Sequence, residues 1–376
     1  MRLFEFEAKK LLEKHGIPIP QGRVFESQEP VAAPCVVKAQ VLFGDRARQG
    51  GVGICKTQEE AGQAITRLIG STLQNERVTR VLVEEYLPIE EEYYVGFLFD
   101  TKERAPVLLF SKSGGSGIEQ KNDVQKVIIN PMRGLEQSQL DTFPESLNEI
   151  IGKLYDVFVK EDCRLLEINP LAKTKEGVVC VDARVELDEA AKKRREWSFE
   201  ERSALGRPFT ERELRVKEAS NADHRGTVKY LELDGDIAVL AAGGGGSLTC
   251  MDALISEGGR PANYSEFSGN PSDEKMYVLA KEALTRPGIK GCWIVGAIAN
   301  FSRVDAMMEG IVKALKEVRP TFPIVVRRAG PYEKEGLALL REAAEKEGWD
   351  VSVFGAQMPL TATAKIMVEK AYGNSN

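Results

Sequence analysis

Apolar and polar positions follow two different rhythms along this chain. Near the start, Ala8, Leu11 and Leu12 recur at helical spacing, and Gly16 with Pro18 closes the run, so a helix is predicted from Glu5 to Gly16. Short strand-like runs follow at Cys35–Ala39, Val81–Glu84, Tyr93–Phe99 and Pro106–Phe110. A helix carrying Leu147, Ile150, Ile151, Leu154, Val157 and Phe158 then precedes strands at Arg164–Ile168 and Val178–Val181. Turn signals at Asp100–Ala105 and Lys175–Gly177 predict antiparallel hairpins, hence a mixed α+β region. From Glu186 to about Arg225 apolar residues thin out and charges crowd in. That stretch reads as an inter-domain arm, a role compatible with a solvated surface helix.

Beyond the arm the rhythm changes. Strands at Ile237–Ala241, Ala262–Tyr264, Cys292–Val295, Pro323–Val326 and Val351–Phe354 each precede a helical pattern. The third of these helices carries Val304, Met307, Met308, Ile311, Val312 and Leu315, and the last runs from about Ala362 to Ala371. Strand–helix units in series predict a parallel sheet with right-handed crossovers. Two domains are therefore expected, over 1–225 (the arm, about 186–225, included) and over 226–376.

A length of 376 residues agrees with more than one core. The net charge of -6, with 51 basic against 57 acidic residues and no long basic run, argues against nucleic acid or an anionic membrane as the main partner. No apolar stretch reaches the ~18 residues needed to span a bilayer. The first residues show no secretory h-region either. Cys35, Cys55, Cys163, Cys180, Cys250 and Cys292 are scattered among apolar neighbours with no metal or redox spacing, which fits a reducing cytoplasm. Only His15 and His224 are present, a scarcity that weakens zinc or Ser-His-Asp chemistry.

In an open parallel α/β sheet, ligands bind beyond the carboxyl ends of the strands. That rule selects the loops Gly243–Gly246, Glu266–Asn270, Gly296–Arg303, Arg327–Gly330 and Gly355–Met358. Helix starts with small side chains, together with a guanidinium fork, suit an anionic, oxygen-rich ligand. Ser302 also reads as a plain helix N-cap. Arg328 follows an apolar strand, where a guanidinium needs either a ligand or an internal carboxylate. In the first region Lys38 sits inside an apolar strand ahead of the basic, glycine-bearing loop Leu42–Gly51, an arrangement suited to phosphate or else to a snorkelling edge lysine. Glu167, Asn169 and Asp182 lie on two strands joined by a short turn, as Mg²⁺ ligands or an ordinary polar group would.

These residues carry a family resemblance. Leu3–Pro20, Val36–Gln40 with its loop to Val52, Val83-Glu84, Glu91–Tyr94, Glu167–Leu171 and Val181-Asp182 resemble the ATP-grasp half of succinyl-CoA synthetase β subunits. Ala262–Ser272, Ile298–Ser302 and Val326–Pro331 resemble the ATP-citrate lyase branch more closely than the synthetases. The resemblance implies an N-terminal ATP-grasp domain (α+β) followed by a flavodoxin-like or Rossmann-like parallel α/β citrate-binding domain. It implies ATP contacts at Lys38, Arg46, Glu84 and Glu92, and Mg²⁺ ligands at Asn169 and Asp182. Citrate contacts are implied at Gly269, Asn300, Ser302 and Arg328. Citrate carries one carboxylate more than succinate, and an added Asn, hydroxyl and Arg fit that demand. Departures from the family pattern fall at Asp45 and Ala47, where the synthetases have glycines, and at Ser113 and Gly117, where glutamates are usual.

The implied activity is that of the ATP- and citrate-binding subunit of an ATP-citrate lyase or citryl-CoA synthetase. Phosphoryl relay in this family runs through a histidine, but His15 and His224 follow no strand of the parallel sheet. The relay histidine and the CoA site are therefore expected on a partner resembling the succinyl-CoA synthetase α subunit, with or without a citrate-synthase-like extension, in a hetero-oligomer. Alternatives are a succinyl-CoA synthetase-type ADP-forming ligase β subunit and a non-catalytic nucleotide- and citrate-binding subunit. The Asn300 and Arg328 loops speak against the first, and the Asn169/Asp182 pair against the second.

Overall fold

The computed structural model describes residues 1–74, 76–115, 123–203 and 205–373. The chain divides into two compact units, Met1–Glu200 and Glu201–Asn376. The first opens with helix α1 (Glu5–Lys14), strands β1 (Gly22–Phe25), β2 (Cys35–Ala39) and β3 (Val52–Cys55), and helix α2 (Gln58–Leu68). The short strands β4 (Thr72–Leu73) and β5 (Glu76–Arg77) lead to β6 (Val81–Glu85), β7 (Glu91–Asp100), β8 (Ala105–Ser111) and β9 (Gln125–Ile128). Helices α3 (Gln137–Leu140) and α4 (Glu145–Lys160) precede β10 (Cys163–Thr174), β11 (Gly177–Cys180) and β12 (Ala183–Leu187).

These strands form an antiparallel sheet in the order β1-β6-β2-β3 and a second in the order β11-β10-β7-β8-β9, with β12 also on β10. The apolar stripe of α4 explains why the second sheet folds. Leu147, Ile150, Ile151, Leu154, Val157 and Phe158 are all buried against β7 and β10, each contributing about 1.5–3 kcal/mol of apolar burial.

The second unit runs α5 (Glu211–Asn221), β13 (Thr227–Glu232), β14 (Ile237–Ala242), α6 (Gly244–Ser256), β15 (Asn263–Ser268) and α7 (Asp273–Leu284). It continues with β16 (Gly291–Ile298), α8 (Val304–Val318), β17 (Ile324–Ala329), α9 (Glu333–Glu347), β18 (Val351–Phe354) and α10 (Ala362–Tyr372). The strand order is β13-β15-β14-β16-β17-β18. The five expected parallel strands are present, but β13 adds an antiparallel edge on β15, so the sheet is mixed. Edge strand β13 lies in a charged stretch with only Val228 and Tyr230 buried, too weak an alternation to stand out.

The expected arm over 186–225 is not one segment. Glu186 and Leu187 belong to β12, and α5 packs on β13 and α7 inside the second unit. Val216 anchors α5, and Arg212 and Arg215 both bond Glu282 of α7. The division therefore falls at Glu200, not near Arg225, because those charges find partners within the second unit. Among the described residues no helix is long and apolar enough to cross a membrane. All six cysteines are free and buried.

Candidate functional site

A cleft of about 410 Å³ in the first unit is lined by Lys38, Arg46, Glu84, Glu92, Asn169 and Asp182, all six residues expected there. Its floor is a network of six charges. Lys38 Nζ donates to Glu5 Oε1 at 2.9 Å and to the Val181 carbonyl at 2.7 Å. It also lies 2.7 Å from Glu84 Oε2, too bent an approach for a hydrogen bond. Arg46 donates to the Ala39 carbonyl at 2.8 Å, to Glu5, and to both Asp182 carboxylate oxygens at 3.0 Å.

Lys9 completes the network and was not anticipated. It donates to Glu84 and, at 2.6 Å, to the Val181 carbonyl, and pairs with Glu5 at 2.8 Å. The signal was the i, i+4 spacing of Glu5 and Lys9 on α1. It was hidden because such pairs ordinarily face water, whereas Lys9 is 2% exposed. Burial alone would raise the Glu5 carboxyl; Arg46, Lys38 and Lys9 together hold it well below its ordinary range. Burial lowers Lys9, only partly offset by Glu5. For Lys38 and Arg46 the carboxylates outweigh burial and push both further up. The cleft thus keeps two fixed positive charges at all physiological pH values.

Glu84 is placed differently from a simple ligand contact, since its carboxylate is turned to the two lysines. Glu92 is exposed at the cleft edge beside Gly115. The Asn169 amide accepts from the Gly115 N–H at 2.6 Å and donates to its carbonyl at 3.2 Å, while its own N–H reaches the Asp182 carbonyl at 3.2 Å. Asn169 and Asp182 therefore sit side by side. Among the described residues no cluster of three or more His, Cys, Asp or Glu could cage a metal. Two hard oxygen donors fit Mg²⁺ in its usual setting, where phosphate and water complete the shell. The exposed apolar side chains Ile54, Tyr86 and Ile89 line the same cleft. Of the departures, Asp45 adopts φ 59 at the start of a 3₁₀ turn holding Ala47, and Ser113 bonds Asp123. Gly117 falls outside the described residues.

The second unit presents its loops at the carboxyl ends of β14, β16 and β17. Arg327 and Arg328 are adjacent on β17, so they point to opposite faces of the sheet. Arg327 is satisfied by backbone: Nη1 donates to the Gly296 carbonyl at 2.7 Å and Nε to that of Met358 at 2.8 Å. Arg328 is not. It is 1% exposed, its Nε lacks a partner, and Nη1 reaches only the Ala297 carbonyl, at 3.4 Å. The guanidinium lies over the Phe267 ring, 5.5 Å from its centroid. Among the described residues no carboxylate pairs with it, so the internal partner considered from the sequence is not there. Burial, then repulsion by Arg327, pulls its pKa down to about 10.

Asn300 is exposed one residue beyond Ala299, whose N–H bonds the Ala329 carbonyl at 2.9 Å, so its loop adjoins the end of β17. Ser302 is not the N-cap of α8. That position is Arg303, and Ser302 leaves its hydroxyl free of a capping bond. Gly269 takes φ +70 at the end of β15. Helix α6 begins at Gly244 with no side-chain cap, leaving its first N–H groups for a ligand or water. A buried guanidinium without an anion, at a strand end that the Asn300 loop adjoins, suits a carboxylate or phosphate.

Residues 2–173 match the ATP-grasp domain model, and residues 207–370 match the model described as ATP citrate lyase citrate-binding. Fold and site together define a two-domain ATP-grasp enzyme subunit. The chain is 33% identical over 375 residues to the ADP-forming succinate–CoA ligase subunit β 1 of Archaeoglobus fulgidus, covering 93% of this chain and 95% of that protein. Identity to the corresponding β subunit of Bacillus subtilis is 32%, over 91% and 94%. Among solved structures, the ATP citrate lyase of Methanothrix soehngenii in complex with citrate and coenzyme A aligns with a TM-score of 0.82 at 25% identity, over 98% of this chain and 99% of that one. The Methanosaeta concilii ATP citrate lyase in complex with (3S)-citryl-CoA shares the fold at a TM-score of 0.80. The chain belongs to the superfamily of succinyl-CoA synthetase β subunits and ATP-citrate lyases, and is an ATP-utilising enzyme subunit.

Proposed function

We propose that this chain is the ATP- and citrate-binding subunit of an ATP-citrate lyase or citryl-CoA synthetase. The observation that carries the reading is Arg328, buried without a counter-ion at a strand end where the Asn300–Ser302 loop adjoins. A carboxylate is a poor acyl donor because oxide is a prohibitive leaving group. Transfer of the ATP γ-phosphoryl group to citrate, by way of a histidine, gives a citryl phosphate with phosphate as leaving group, and the CoA thiol then attacks the acyl carbon.

Lys38 and Arg46 would hold the ATP phosphates, and Ile54, Tyr86 and Ile89 offer apolar faces to the base. Asn169 and Asp182 would hold Mg²⁺, which neutralises phosphate charge when bound. Asp182 would then exchange part of its pairing with Arg46 for the ion. The relay histidine and CoA site would come from an α-like partner. Here His15 is tied to Glu161 at 2.7 Å, and His224 is exposed in the turn between α5 and β13.

Succinate is the second reading, supported by the names of the relatives at 32–33% identity. Calorimetric titration separates the two. Citrate should bind more tightly than succinate, and Arg328→Gln should weaken citrate at least about tenfold, since one buried charged contact is worth about 1.5–3 kcal/mol. Tighter succinate binding by the unmodified protein would remove the citrate assignment.

The nucleotide site is checked separately by thermal unfolding. ATP should raise the melting temperature clearly with Mg²⁺ and only modestly without it. Asp182→Ala should abolish that difference, and an equal Mg²⁺-dependent shift in this variant would exclude Asp182 as a ligand.

A further inference from the structure

Lys275 lies in the first turn of α7, 2% exposed, where an ammonium meets the positive end of the helix dipole. Five oxygens oppose that charge. Nζ lies 2.9 Å from the carbonyl of Ser220, 2.8 Å from that of Asp223, 3.1 Å from that of Arg225 and 3.0 Å from that of Gly226. The Asp223 carboxylate is 3.1 Å away. One ammonium, with three N–H donors, thus gathers the last turn of α5 and the whole turn leading to β13. A lysine at this depth is seldom found unless it is paired, and these partners all lie on this one stretch of chain.

The gathered turn presses on the loop after β15. A Cβ on Gly226 would fall 2.4 Å from the Pro271 nitrogen, 2.6 Å from the Ser268 carbonyl oxygen and 2.8 Å from the Asn270 carbonyl carbon. Backbone here lies directly on backbone, an approach only glycine permits. The loop so held carries Gly269 and Asn270, both at positive φ. Asn270 passes the constraint on, its Oδ1 accepting from the Arg303 N–H at 3.0 Å. Arg303 directly follows Ser302, so this bond fixes the end of the Asn300–Ser302 loop and the start of α8.

We infer that Lys275 is a positioning residue for the acid-binding site: through Gly226 and Asn270 its ammonium sets the geometry of the Gly269 and Asn300–Ser302 loops without bonding Gly269, Asn300 or Ser302. The inference rests on the reading of those loops as the substrate site. Backbone bonds from Ala299 to Ala329 and from Val304 to Pro331 flank the second loop, but Asn300 and Ser302 themselves make no side-chain hydrogen bond among the described residues. A buried charge linked to both loops supplies what their own side chains do not.

The test uses the full chain and two measurements. Lys275→Met should weaken citrate binding at least about tenfold by calorimetry. It should also accelerate amide exchange at Gly269, Asn270 and Arg303, while protection of Val239, Leu240 and Ile294 in the sheet is retained. Mg-ATP binding, confined to the first unit, should be unchanged. Should Lys275→Met not fold, Asn270→Gly removes the link without disturbing the buried charge and keeps the positive φ accessible. It should deprotect Arg303, and Asn270→Asp, which restores the acceptor, should protect it again. Unaltered exchange at Arg303 in Asn270→Gly, or unaltered citrate affinity in Lys275→Met, would overturn the inference. Absence of citrate binding by the unmodified protein would instead strike the functional reading, and the exchange measurements would still decide the relay.

Discussion

Glu84→Ala should reduce the stability of the first unit by about 3–5 kcal/mol, the range typical of breaking a buried ion pair by removing one partner. Glu84 is 3% exposed and faces Lys9 and Lys38, themselves 2% and 5% exposed. With it gone, two ammonium groups share Glu5 and the Val181 carbonyl in a low-dielectric setting. The cluster holds three cations (Lys9, Lys38, Arg46) and three carboxylates (Glu5, Glu84, Asp182), so deletion leaves an uncompensated buried charge. Urea unfolding, with exchange protection of β2 and β6 reporting on this unit, measures the loss. Lys9→Met combined with Glu84→Met should recover most of it, because removing both charges removes the imbalance along with the attraction. A loss below about 1 kcal/mol for Glu84→Ala would mean that the pair behaves like a hydrated surface bridge.

That prediction also marks how far the sequence could be read. Helix α1 was legible from Ala8, Leu11 and Leu12, because apolar spacing records which face is buried. The same pattern assigns Glu5 and Lys9 to water, and nothing local shows that Lys38, Arg46 and Glu84 arrive from elsewhere in the chain to cover them. Buried charges are set by long-range contacts such as Lys9 with Glu84, and periodicity is silent on those. The parallel strands of the second unit were legible for the opposite reason. Strands buried on both faces read as continuous apolar runs, and the carboxyl-end rule then pointed to the loops that carry Asn300, Ser302 and Arg328, which the family resemblance singles out. Strand β13 and helix α5 were missed because α5 is held largely by polar bonds, from Arg212 and Arg215 to Glu282 and from the Thr210 hydroxyl to Glu232, and the few buried apolar residues (Val216, Val228, Tyr230) make no stripe.

The two arginines at the end of β17 show the limit most sharply. In sequence Arg327 and Arg328 are equivalent. In the fold one is bonded by the carbonyls of Gly296, Ala356 and Met358, and the other lies over Phe267 with an orphan Nε. Strand alternation decides which is which, because Arg328 shares its face with Ile324 and Val326 and Arg327 shares the face of Val325. The resemblance to the citrate-lyase branch selected Arg328, and the packing supplies a physical reason for that selection.

Gly296→Ala should reduce citrate affinity by about a hundredfold, about 2.7 kcal/mol and so near the upper end of what one buried charged contact is worth, although Gly296 has no side chain to offer. A Cβ there would lie 2.0 Å from Arg328 Nη1 and 2.5 Å from the Ala242 Cβ. Both distances are below contact. The guanidinium contact is relieved by moving the end of a side chain, whereas Ala242, paired with Gly296 in the adjacent strand, yields only if the strands shift slightly apart. Arg328 is 1% exposed and its guanidinium lies over the Phe267 ring, so it has little room to move. The variant should therefore misplace the cation while leaving it in the protein, and a misplaced charge also keeps its desolvation penalty. A double-mutant cycle separates this mechanism from general damage to β16. Glutamine is shorter than arginine, so Arg328→Gln relieves the contact at Nη1 and leaves only that at Ala242; where displacement of the cation is the dominant effect, the double variant should bind citrate no more weakly than Arg328→Gln alone. Additive losses would place the effect of Gly296→Ala in the strand itself, and unchanged affinity in the single variant would show that citrate is not read by Arg328.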